Sequence, residues 1–180
     1  MKMKKPVSIA RGAANFGLCL SAVLGFASSS FAERSDIDVH KFELQVFQGT
    51  IAVDEIVSGD MGVAVEKIRD SGKYVELYAK KTNLCVAYTA QGEYTNAAKQ
   101  CQAAQRLSKR SGFIVHSTKR DKQALALNNL GVLLALQGHT QEALKYFERA
   151  GGRSTKFSDT SLRNIDALEK RGDSAVASRS

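Results

Sequence analysis

Cys85 and Cys101 are the two residues whose type and spacing most directly admit chemistry, because thiols flanking a turn can close a disulfide. The turn is centred near Glu93, and each cysteine stands eight residues from it. At 1.5 Å of rise per residue, both lie ~12 Å along their helices from the turn. They are therefore expected to be level. In an oxidising compartment such a pair favours a disulfide, and the short loop it closes adds roughly 3 kcal/mol in the chain-entropy picture. Two buried free thiols are the alternative reading, since free cysteine is itself commonly buried. A catalytic redox pair has less support, because the CxxC spacing is absent.

Other reactive constellations are missing. His40, His116 and His139 are scattered without metal-ligand spacing and read as surface or loop residues, so no metal is expected. The sequence has no GxSxG, GxxxxGK[ST], HExxH or glycine-rich phosphate loop. Acidic residues such as Glu142 and Glu148 sit among helix surfaces, where they solvate and pair. No cofactor and no catalytic residue are expected, and the chain reads as a non-enzyme.

A third feature is charge. Arg106, Lys109, Arg110, Lys119, Arg120 and Lys122 cluster around Gly112 to Gln123, and a compact patch of Arg110, Lys119, Arg120 and Lys122 could attract an acidic partner or a membrane surface. A solvated helix end and loop is the plainer reading. Phe113 is the lone aromatic residue in that stretch, so base stacking has little support and no nucleic acid is expected.

The N-terminus bears on compartment. Lys2, Lys4, Lys5 and Arg11 make a basic start, Phe16 to Phe26 is mostly apolar, and Ser30-Phe31-Ala32 has small residues where a signal peptidase reads. Residues 1–32 are expected to be a signal peptide cleaved after Ala32, leaving a soluble protein that is periplasmic or secreted. A membrane anchor is the competing reading, but the apolar run falls short of the ~20 residues that span a bilayer. The whole chain has 26 basic and 18 acidic residues. Removing the four basic residues of the first 32 leaves 22 minus 18, a mild excess of +4.

These residues must be held by helices. In ALALNNLGVLLALQGHTQEALKYFERA, Ala124 to Ala150, apolar residues recur at helical spacing through Leu127, Leu130, Gly131 and Leu134. Gly138 breaks the run, and Ala143, Phe147 and Ala150 resume it. Leu84, Cys85, Tyr88, Gly92, Ala97, Cys101 and Ala104 stand 46 residues before Leu130, Gly131, Leu134, Gly138, Ala143, Phe147 and Ala150. A further 33 residues back, Ile51, Gly59, Ala64 and Ile68 fall in register with Leu84, Gly92, Ala97 and Cys101. This pattern resembles the tetratricopeptide repeat, strongly in the last unit, well in the middle one and loosely in the first. The loosest unit also reads as an ordinary amphipathic helix pair, and Phe42, Leu44, Val46 and Ile51 to Val53 also read as strand.

The resemblance implies an all-α fold, a short helical solenoid of about three helix-turn-helix units. The units are expected at about 45–77, 78–111 and 124–157, with a capping helix over 158–171 built on Leu162, Ile165 and Leu168. Residues 33–43 read as a flexible lead-in to the 44–171 domain, and 172–180 as a flexible tail. Small Gly131 and Ala143 are expected where paired helices approach most closely. Cys85 and Cys101 replace residues that face the partner helix in the family pattern, so their side chains should converge.

In the family, the first helix of each pair lines a concave groove that takes peptides or protein segments. Asn83 and Asn129, each just before the pattern's conserved Leu, are expected to face that groove with Val86 and Val132. An Asn amide both donates and accepts, and so can hold a peptide main chain whatever its sequence. The alternative is that the two asparagines merely follow the family's common pattern. The resulting expectation is an exported scaffold or adaptor that binds another envelope protein, or else an accessory assembly subunit of an envelope enzyme or secretion machine.

Overall fold

The computed structural model describes residues 36–39, 41–73, 75–110 and 117–177. The expected signal peptide, His40, His116 and residues 111–116 of the insertion lie outside them. Three turns set the architecture. Gly59, Gly92 and Gly138 adopt φ of +91°, +75° and +85°, left-handed values that glycine reaches without a Cβ clash. At each turn the next residue donates its N–H to the carbonyl five residues back: Asp60 to Glu55, Glu93 to Tyr88 and His139 to Leu134, at 2.8–2.9 Å. This bond ends one helix and redirects the chain into the next.

The turns join three helix pairs, α1 (Val53–Ser58) with α2 (Met61–Asp70), α3 (Leu77–Ala90) with α4 (Tyr94–Ser108), and α5 (Lys119–Leu136) with α6 (Thr140–Gly151). A 3-10 turn at Thr155–Phe157 leads into α7, Ser158–Ala177, which packs on α6. Helix α5 starts where it does because Thr118 and Asp121 form a reciprocal cap, each side chain bonding the other's backbone N–H. Ala64, Ala97 and Ala143, equivalent positions on the second helices, are all fully buried, as the close approach of paired helices requires. At Gly131 an added Cβ would stand 2.5 Å from a ring carbon of Phe147.

Ahead of the helices lies an antiparallel hairpin, β1 (Asp36–Val39) with β2 (Phe42–Gln45), pairing Val39 with Phe42 and Asp36 with Gln45. The expectation of a flexible lead-in over 33–43 is therefore corrected at its described residues: Asp36–Val39 is strand, and the second strand starts at Phe42. The first helix of the loosest unit, expected from about residue 45, is also corrected, because helix begins only at Val53. The alternation Phe42-Glu43-Leu44-Gln45-Val46 has period two, and left-handed Gly49 and Ala52 interrupt any helical run before Val53. At the other end α7 continues to Ala177, past the limit expected at Arg171. Leu162 does not join the capping stripe but is 61% exposed, while Thr160, Ser161, Asn164 and Leu168 are buried.

The main core gathers Phe42, Leu44 and Val46 of the hairpin segment with Ile56, Ile68, Val86, Val132, Phe147 and Leu168. A second cluster joins Phe47 and Tyr78 to Leu125 and Phe157. The strand segment is thus a core element seated among the helices.

Candidate functional site

The first helices α3 and α5 and the capping helix α7 each turn an asparagine toward the same extended segment. Asn83 lies on α3, Asn128 and Asn129 on α5, and Asn164 on α7, and all four are essentially fully buried. A buried amide left without partners is costly, so each must be paired. Asn129 accepts from the Gln45 N–H at 2.9 Å and donates to the Gln45 carbonyl at 2.7 Å. Asn83 accepts from the Phe47 N–H at 2.8 Å and donates to the Ile51 carbonyl at 3.0 Å and the Thr50 hydroxyl at 3.2 Å. Asn164 accepts from the Glu43 N–H at 2.7 Å and donates to the Glu43 carbonyl at 3.0 Å. Asn128 donates to that same carbonyl at 3.0 Å and accepts from Asn164 at 2.9 Å.

Glu43, Gln45 and Phe47 alternate along an extended chain, so their main-chain groups point to one edge. On its other edge the strand runs antiparallel to β1 over Phe42 to Gln45. The asparagine row therefore stands where a further strand would, and bonds the main chain rather than side chains. One side-chain clamp is added: the Arg163 guanidinium grips the Glu43 carboxylate through two bonds, at 2.6 and 2.7 Å.

Asn83 and Asn129 thus reach one extended segment of the chain itself, Gln45 to Phe47, and Val86 and Val132 pack in the core with Phe42, Leu44 and Val46. Their expected openness is corrected. Val86 and Val132 are fully buried in the same cluster as Phe42, Leu44 and Val46, because the chain's own residues 42–47 fill the groove. Sequence reading missed Asn128, Arg163 and Asn164. Asn164 stands 36 residues beyond Asn128, close to the repeat step, and that spacing was the available signal.

The basic residues divide. Arg110, Lys119 and Arg120 are exposed, whereas Lys122 is 3% exposed and leaves the surface patch. Its ammonium lies 3.8 Å from Glu76 and 5.6 Å from the centre of the Tyr78 ring. The Tyr78 hydroxyl donates to the Lys122 carbonyl at 2.8 Å, and burial pushes that phenol's pKa well above its ordinary range. Burial also raises the Glu76 carboxyl, partly offset by the charge of Lys122. Asp121 shows the opposite balance. Burial alone would raise it, but bonds from Ser154 and from the Thr118 backbone and hydroxyl, with the charge of Lys156, leave it below its ordinary value.

Cys85 and Cys101 are joined as a disulfide between α3 and α4, with Cα atoms 4.8 Å apart and both residues 1% exposed. Among the described residues no group of three or more His, Cys, Asp or Glu could hold a metal, and no helix is long and apolar enough to cross a membrane.

Residues 76–150, which span α3 to α6, match the tetratricopeptide repeat family. No curated protein and no solved structure matches the chain. The matched stretch holds Asn83 and Asn129 but neither the strand they bind nor Asn164, so the clasp combines repeat helices with elements on either side of the match.

Proposed function

We propose that this chain is a non-enzymatic interaction module, an exported scaffold or adaptor of the bacterial envelope that joins polypeptides by clasping an extended segment in its groove. The observation that carries the reading is the pair of bonds from Asn129 to one residue's N–H and carbonyl, with Asn83 holding the next alternate residue on the same edge. Such bonding recognises main chain and leaves selectivity to apolar seats such as those beside Val86 and Val132. Repeats of this kind support a protein partner, and the signal-like N-terminus and the Cys85–Cys101 disulfide fit an exported fold.

The test is crosslinking in intact cells followed by capture of the tagged protein from the envelope fraction. A discrete protein partner is expected, diminished by Asn83→Ala with Asn129→Ala when capture is compared at equal amounts of folded protein. Capture unchanged in that double variant but lost in Lys119→Glu with Arg120→Glu would move the working surface to the exposed basic residues. N-terminal sequencing of the mature protein should begin at Glu33, and retention of residues 1–32 would overturn export by this signal.

A further inference from the structure

Among the described residues two that carry a Cβ have positive φ, Lys41 in the hairpin turn and Ala52 in the linker between the groove-filling strand and α1. Ala52, 2% exposed, holds φ of +62°, a left-handed conformation that costs any residue with a Cβ. Four residues earlier, both amide atoms of Gln48 are buried without a hydrogen-bond partner. Gly49 between them also has positive φ, +67°. Strain and an unpaired buried amide thus coincide in the five residues that fold the strand back onto its own groove.

The groove's contacts do not share this origin. Asn129, Asn128 and Asn164 bond the main chain of Glu43 and Gln45, and Phe42, Leu44 and Val46 fill apolar seats. None of these contacts depends on which molecule supplies the strand. We propose that residues 36–47 form an arm that exchanges between two copies of this chain, each arm filling the other copy's groove. Straightening the linker at residues 48–52 frees Ala52 from the left-handed region and lets Gln48 reach water, while the groove contacts re-form between copies. The exchange gives up the bonds from Asn83 to Thr50 and Ile51, the bond from the Thr50 hydroxyl to the Phe47 carbonyl, and the packing of Ile51 and Ala52 on the main core. The proposal rests on the groove reading above and names its partner strand as a second copy's own.

The test uses the full mature chain with a photo-crosslinking amino acid in place of exposed Lys41, which lines a cavity with Tyr94, Leu136, Ala167 and Arg171. Nitrogen-isotope-labelled and unlabelled protein are mixed, refolded and concentrated, then sized by light scattering and irradiated. A dimer with crosslinks from position 41 to α7 of the other isotope is expected. Ala52→Gly, which removes the cost of the closed linker, should weaken dimerisation roughly tenfold or more. Gln48→Leu should shift the balance the same way and serves if the glycine variant folds poorly. A monomer at every concentration, crosslinks within one copy only, or a dimer indifferent to both variants overturns the exchange and leaves the groove reading intact. Absence of crosslinks between position 41 and α7 in either copy overturns both, and in cells a foreign protein at position 41 in place of this chain overturns the exchange.

Discussion

Asn129 spends its whole amide on Gln45, accepting from its N–H and donating to its carbonyl across 84 residues of sequence. The helix that carries Asn129 is thereby fastened to a strand by bonds that never touch a side chain of that strand. An interaction surface expected to be open is in this structure an intramolecular joint.

Truncation at this joint should therefore destabilise the protein, not merely weaken binding. Asn129→Ala strands a buried N–H and a buried carbonyl of Gln45, each worth ~1–3 kcal/mol when left unpaired. Urea melts should show the loss directly. A midpoint equal to the unmutated protein's would mean that the strand is not held there.

Gly131→Ala should cost ~1–3 kcal/mol, because its methyl would stand 2.5 Å from a Phe147 ring carbon and the packed pair must shift. Gly138→Ala meets no neighbour, so its cost is confined to the positive φ of +85°. Combining Gly131→Ala with Phe147→Leu should recover part of the first loss, and thermal melts of the three variants check this.

The Cys85–Cys101 bond closes a short loop between paired helices, and its reduction should lower stability by ~3 kcal/mol. Cys85 and Cys101 of the purified protein should resist alkylation until reductant is added. Quantitative labelling of both cysteines without reductant would show them free.

Acid should loosen the start of α5. Asp121 has a folded pKa below its ordinary value of 3.8, so the native state favours the carboxylate. Its contribution is complete above the ordinary value and is lost as pH falls from there through the lowered one. The group is largely solvated, so the effect is modest. Stability measured across this window should fall more steeply in the unmutated protein than in Asp121→Ala, and parallel curves would contradict the assignment.

What the sequence determined by itself is local and periodic. Gly59, Gly92 and Gly138 mark three turns because they break apolar helical runs in register. Cys85 and Cys101 are equidistant from one of those turns, and helical rise alone makes them level. Asn83 and Asn129 could be picked out as binders of main chain because the repeat fixes which face they occupy. Tertiary structure decided the rest. Phe42 to Phe47 alternates like a strand, yet nothing local says that its unpaired edge is satisfied by amides 36 to 121 residues away. Lys122 reads as one more basic surface residue until Tyr78 and Glu76 cover it. Periodicity reports which side of an element is apolar, but which segment fills a groove depends on chain-distant packing, where main-chain hydrogen bonds carry no sequence signature.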